Sequence, residues 1–203
     1  MIELLLPQSC AGCGAAGSRL CAECRTKLRQ LPMRVSTPVD PLAPVWALAP
    51  YSGVHRQVIL AMKERGRTDI RKEIGAVIQA AIHYLIARGE LPRDLVLVPA
   101  PTRRRNARLR GGDPVTHICN ATNFPVLACL EHGSNVRDSV GLTPAQRRAN
   151  LAHGINLRPV RKIPQKVLLI DDVVTTGATG EASASVLRSA GVQVTGVLVV
   201  CSA

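Results

Sequence analysis

The chain has 203 residues, enough for one α/β domain with a real core plus a small appendage. Its 26 lysines and arginines against 14 acids give a net charge of +12 and an isoelectric point near 10.2, which implies attraction to polyanions (phosphorylated substrates, nucleic acid or an acidic membrane surface) without selecting among them. The aromatic side chains are only Trp46, Tyr51, Tyr84 and Phe124, so a base-stacking pocket or a single-strand DNA platform has few rings to draw on.

Five of the basic residues are lysine and 21 arginine, the side chain suited to bidentate phosphate contacts, although a coding bias toward arginine gives the same count. The start, MIELLLPQ, carries Glu3 instead of a basic run and only a short apolar stretch, so it reads as neither signal peptide nor anchor. No apolar segment approaches membrane-spanning length. A cytoplasmic protein with reduced thiols is expected, which turns attention from disulfides to metal for cysteines that cluster.

Four do cluster. Cys10, Cys13, Cys21 and Cys24 form two CxxC pairs seven residues apart, with Gly12 and Gly14 in the tight turn a metal knuckle needs. Four thiolates so spaced suit tetrahedral Zn²⁺ and leave no open coordination position, so the site is expected to be structural; a redox pair or disulfides is the alternative. Residues 1–30 are thus read as a zinc-binding module. A short helix is expected at Arg25 to Gln30. The next stretch, 31–44, holds Pro32, Pro38, Pro41 and Pro44 and is read as an irregular linker. The main domain, 45–203, begins with a predicted strand from Val45 to Tyr51 and a helix from Val54 to about Glu64, with Val58, Ile59 and Met62 on one face. In the KERGRTD segment that follows, Arg65 and Arg67 read as a solvated helix end. Lys63 reads as either a phosphate ligand or part of the same solvated end.

A helix over about Ile70 to Ala87 and a strand over Leu95 to Val98 come next. The strand runs into Pro99, Ala100 and Pro101 and then TRRRNARLRGGDP, where five of the eight residues from Arg103 to Arg110 are arginine. Following a strand's carboxyl end, this loop is placed as a diphosphate clamp; a solvated basic face and a nonspecific nucleic-acid patch are the competing readings. A helix near Val115 to Thr122, a strand near Val126 to Cys129 and an unpatterned stretch from Glu131 to Val140 follow. Leu142 to Leu151 then reads as a helix, with Thr143 as its cap, Pro144 at the first helical position, and Arg147 and Arg148 as surface charges before ligands.

The pattern converges on Lys166 to Gly180, KVLLIDDVVTTGATG. Val167 to Ile170 is an apolar run fit for a strand buried on both faces. Asp171 and Asp172 are expected to stop it and to sit at the exposed carboxyl edge, because burying adjacent carboxylates unpaired costs several kcal/mol. There they can accept hydrogen bonds from hydroxyls or hold a hydrated divalent cation. Thr175, Thr176, Gly177, Ala178 and Thr179 then offer hydroxyls and a bare backbone at the start of a helix through Ala190, which makes an anion cradle. An acidic pair for sugar hydroxyls followed by a phosphate cradle has the shape of a ribose 5-phosphate site. No lysine follows the loop glycine and no GxGxxG opens a helix, so ATPase and dinucleotide readings lose ground. A last strand, Val192 to Val200, completes a doubly wound, mostly parallel sheet.

The 167–179 stretch closely resembles the phosphoribosyl-pyrophosphate signature of type I phosphoribosyltransferases. With Pro7 and the four cysteines, Tyr51, Gly53 and Lys63, VPAP at 98–101, Arg103, Arg104, Arg110, Gly111, Gly141, Leu142, Arg147 and Asn150, the whole chain resembles the ComF family of competence-associated phosphoribosyltransferase-like proteins. The resemblance implies a type I phosphoribosyltransferase fold. It places Asp171 and Asp172 at the ribose hydroxyls, Val173 and residues 175–179 around the 5-phosphate, and Ala100 to Arg104 at the pyrophosphate, with Mg²⁺ bridging. Where the family has RGFN followed by Gln, this chain has Arg110, Gly111, Gly112, Asp113 and Pro114; Ser139 stands for a Gln before Gly141. Two functions are implied: phosphoribosyl transfer to an acceptor, or a non-catalytic DNA-uptake accessory role in which the site senses its ligand and the protein binds single-stranded DNA or uptake machinery.

Overall fold

The computed structural model describes residues 8–102, 112–133, 154–160 and 163–203. Helix α1 (Ala22–Leu28) follows the paired cysteines, and the short strand β1 (Met33–Arg34) leads to β2 (Val45–Pro50) and helix α2 (Gly53–Lys63). A single 3₁₀ turn, Thr68–Ile70, opens helix α3 (Arg71–Ala87), which precedes β3 (Val96–Pro99) and α4 (Pro114–Asn120). After β4 (Leu130–His132) and β5 (Ile155–Leu157) come the long strand β6 (Lys166–Val174), helix α5 (Ala178–Ser189) and β7 (Gln193–Ser202).

The central sheet runs β1-β2-β7-β6-β3, parallel throughout except for β1 at its edge, while β4 and β5 form a separate antiparallel pair. Helices lie on both faces, which is why the strands are near-continuous apolar runs. On one face α2, α3 and α4 bury Ile59, Ile74, Ile78 and Ile118 against Leu168, Ile170 and Leu198. On the other, α5 buries Ala184 and Leu187 against Val167, Leu169, Val197 and Val199. The chain is therefore a mixed α/β protein with a mostly parallel central sheet. No helix among the described residues is long and apolar enough to cross a membrane.

Three expectations are corrected. Strand β6 does not stop at the acids: Asp171 pairs with Val199, Val173 with Cys201 and Val174 with Ser202, because β7 offers a full ladder and Val173 and Val174 are β-branched. The strand expected at Val126 to Cys129 is a single parallel bridge from Val126 to Leu97, and the regular pairing falls at Leu130–His132 instead. The proline-rich stretch is not wholly irregular. Met33 and Arg34 pair with Ala47 and Trp46, the prolines lying outside the paired residues.

Candidate functional site

The cysteine cluster is built by a tight turn and a helix start. Cys21 is the N-cap of α1, and the Sγ atoms of Cys10, Cys13, Cys21 and Cys24 all lie within 4.8 Å of one another. Cys13 and Cys21 sulfurs are 3.8 Å apart, close to the edge of a tetrahedron with Zn–S bonds of about 2.3 Å. Burial opposes ionisation of Cys10, but backbone N–H groups of Cys21, Cys13 and Gly12 outweigh it and bring the thiol down to about 6. Burial and the neighbouring thiols raise Cys24. Four crowded sulfurs, one already favouring the thiolate, fit a divalent cation, and the four-sulfur set is compatible with structural zinc.

The cluster is fastened to the rest of the protein. Arg67 forks onto Asp69 with two bonds of 2.8 Å and donates to the Ser9 carbonyl at 2.8 Å and the Arg19 carbonyl at 3.3 Å. It is thus a brace for the cysteine turn and not a solvated helix end. Gly12 has no room for a side chain: a Cβ there would lie 2.7 Å from Cys24 Sγ and 2.9 Å from Val54. Cys10, Ala11, Leu20, Cys24 and Leu28 share one core with α2 and α3.

At the carboxyl end of β6 the two acids are treated differently. Asp172 is buried and its Oδ1 lies 2.7 Å from Lys63 Nζ, so the lysine at the end of α2 faces the acid pair. Asp171 is half-buried and its Oδ1 accepts the backbone N–H of Asp172 at 2.8 Å. Burial, then the charge of Asp172, push the Asp171 carboxyl up to about 8, with the Asp172 N–H and Lys63 opposing. The acids are thus part of the paired strand, not a solvent-exposed edge, and burial beside Asp172 disfavours the charged form of Asp171.

Asp171 lines a cavity of about 50 Å³ together with Ala100, Val173 and Thr175 to Gly180. Thr175 and Thr176 are exposed, Gly177 is buried with φ at +83°, and Ala178 opens α5 with its N–H directed to Thr176 Oγ1 at 3.3 Å. The first backbone N–H groups of a helix lack intrahelical partners, so this end attracts an anion. Ser183, one turn further and fully buried, lines the same cavity with its hydroxyl unpartnered. A serine in a helix carries no sequence signal for such a role.

Residues 37–42 form a strap over the loop. Val39 N–H donates to the Thr176 carbonyl at 2.8 Å, Thr37 Oγ1 to the Val39 carbonyl at 2.7 Å, and Arg188 of α5 to the Pro41 and Leu42 carbonyls at 2.7 and 2.8 Å. A Cβ on Gly177 would lie 2.7 Å from Thr37 Oγ1, so that position requires glycine for its positive φ and for the strap. Asp113, unexpected from the family pattern, caps α4. Its carboxylate accepts from Thr102 Oγ1 at 2.8 Å, Thr116 Oγ1 at 2.7 Å and Val115 N–H at 3.1 Å, which ties the end of β3 to the start of α4. The Asp-Pro pair at an N-cap and first helical position is the signal for it.

Arg103, Arg104, Arg110, Gly111, Ser139, Gly141, Leu142, Arg147, Asn150 and Pro7 lie outside the described residues, as does the helix expected from Leu142 to Leu151. No second cluster of three His, Cys, Asp or Glu side chains arranged for metal occurs among the described residues, so Mg²⁺ has no preformed protein cage there. No protein-family model matches the chain, and no curated protein matches it either.

Proposed function

We propose that the protein binds phosphoribosyl pyrophosphate at the end of β6 and transfers its phosphoribosyl group to an acceptor, on a type I phosphoribosyltransferase fold. The observation that carries this reading is one cavity, at the carboxyl end of a central parallel strand, that joins the Asp171 carboxyl to the Thr175–Thr179 loop and the N-terminus of α5. The ribose hydroxyls would meet Asp171 and Asp172, and the 5-phosphate the backbone N–H groups and hydroxyls of Thr175 to Thr179. Lys63 holds Asp172 in place. Ala100 lies against the same cavity, where Arg103 and Arg104 would follow to meet the pyrophosphate.

In the reaction, the bond from C1 to pyrophosphate breaks and a bond from C1 to the acceptor forms. No described residue is placed as a general base, so catalysis would rest on positioning and on charge stabilisation by arginine and lysine. Mg²⁺, which the resemblance implies, would arrive with the diphosphate and neutralise it. Zn²⁺ on Cys10, Cys13, Cys21 and Cys24 would have a structural role only.

Equilibrium competition tests the assignment. Ribose 5-phosphate should displace phosphoribosyl pyrophosphate, because both present the sugar hydroxyls and the 5-phosphate. Displacement by pyrophosphate alone and not by ribose 5-phosphate would place the ligand elsewhere. Steeply salt-dependent binding of single-stranded DNA with no affinity for the sugar phosphates would favour the accessory role instead.

A further inference from the structure

A second concave surface lies away from the β6 site, between the cysteine module and α3. It is a groove of about 720 Å³ between α1 and one face of α3, within the usual size of binding clefts. On α3 the groove is lined by Glu73, Ala76, Val77, Ala80, Ala81 and Tyr84, a stripe at helical spacing that runs about three turns. Ile74, Ile78, Ile82 and Leu85 are fully buried in the core, and Val77 and Ala81 are buried with them at the inner edge of the groove, so the part of α3 left open is Ala76, Ala80 and the half-buried Tyr84. Ala76 and Ala80 are exposed, one turn apart, and let another backbone approach closely. Leu31, at the lip, is 60% exposed, one of the few large apolar side chains so exposed among the described residues.

The rim is cationic. Arg25 and Arg29 line the groove from the α1 side, one turn apart, and Lys72 from the start of α3. Among the described residues none of the three makes an ion pair, in contrast to Lys27, Lys63, Arg67, Arg88 and Lys166. Three unpaired cations around an apolar, small-residue trough match a helix with leucine-like residues at i, i+3, i+4 and i+7 and acids along its flank.

We propose that the groove between α1 and α3 is a docking site for an acidic amphipathic helix of a partner protein. The helix lays its apolar stripe on Ala76, Ala80 and Leu31 and sets its acids against Arg25, Arg29 and Lys72. The surface is separate from the β6 site, and the proposal stands whether or not that site binds a sugar phosphate.

The test uses the zinc-loaded full chain and a fluorescent synthetic helix of about fourteen residues, with leucines at those spacings and glutamates on the flank. Anisotropy should show saturable binding to the wild-type protein, and a counterpart with lysine for glutamate should not bind. Ala80→Arg is the deciding variant: it fills the trough at an exposed helical position, where arginine suits the helix, and it adds a positive charge. Docking in the groove requires binding about tenfold weaker in spite of that charge, and weaker binding again for Arg25→Glu with Arg29→Glu. Equal or tighter binding to Ala80→Arg would reduce the effect to diffuse charge and overturn the proposal. So would absence of binding at about millimolar protein, or displacement of the peptide by an oligothymidylate whose own binding Ala80→Arg weakens, which would assign the groove to nucleic acid.

Discussion

Asp171→Asn should stabilise the unliganded protein, and increasingly so as pH rises. In the folded chain the carboxyl is raised from 3.8 to about 8, chiefly by burial and by the charge of Asp172. Between those values the folded state holds a proton that the unfolded state has released, so wild-type stability falls as pH rises toward 8 and the loss is complete above it. One proton per molecule is worth about 1.4 kcal/mol per pH unit; allowing for the partial solvent contact of Asp171, the gap between variant and wild type should widen by about 1–2 kcal/mol from pH 6 to 8. For a chain of this size that is about 3–6 °C in Tm. Asparagine is neutral and keeps an oxygen for the Asp172 N–H, so the local backbone is preserved. Thermal melts of both proteins at matched ionic strength and saturating zinc give the difference directly, since metal-linked pH effects are common to the two. Parallel melting curves across this range, or a variant less stable than wild type at pH 8, would refute the assignment of the strained carboxyl to Asp171.

The cysteine cluster should carry one zinc per chain, and its removal by a chelator should lower Tm by at least about 10 °C, because Cys10, Cys24 and Leu28 are part of the main core; mass spectrometry and melting check this together. Arg67→Ala removes the brace between that cluster and Asp69 and should cost about 1–3 kcal/mol in denaturant melts while speeding zinc loss to a colorimetric chelator. Gly177→Ala places a Cβ against Thr37 at a left-handed position and should cost about 2–4 kcal/mol; a neutral result would show that the strap yields freely.

Much of the scaffold was legible because its signals are local. The spacing of Val58, Ile59 and Met62 located α2, the run from Val167 to Ile170 located the central strand, and the doubled CxxC located the sulfur cluster. What escaped depends on contacts distant in sequence. The acids looked like a strand terminator, yet the ladder from β7 carries the backbone through to Val174 and leaves Asp172 to Lys63. Four prolines made 31–44 look like a linker, but Val39 spends its N–H on the Thr176 carbonyl and Arg188 reaches back over 146 positions to Leu42. Arg67 looked solvated because its acceptors are the carbonyls of Ser9 and Arg19. Asp113 was readable in kind, as a cap before proline, while its grip on Thr102 was not.

Calorimetric titration of the zinc-loaded protein with phosphoribosyl pyrophosphate and Mg²⁺, beside the Asp171→Asn, Asp172→Asn double variant, tests the proposed site most directly. If the acids hold the ribose hydroxyls, the wild-type protein binds saturably with one site per chain and the double variant, folded by circular dichroism and melting, binds at least about tenfold more weakly. Equal affinity in the two proteins, or no heat of binding to the folded wild type, would contradict a sugar-phosphate site at the end of β6.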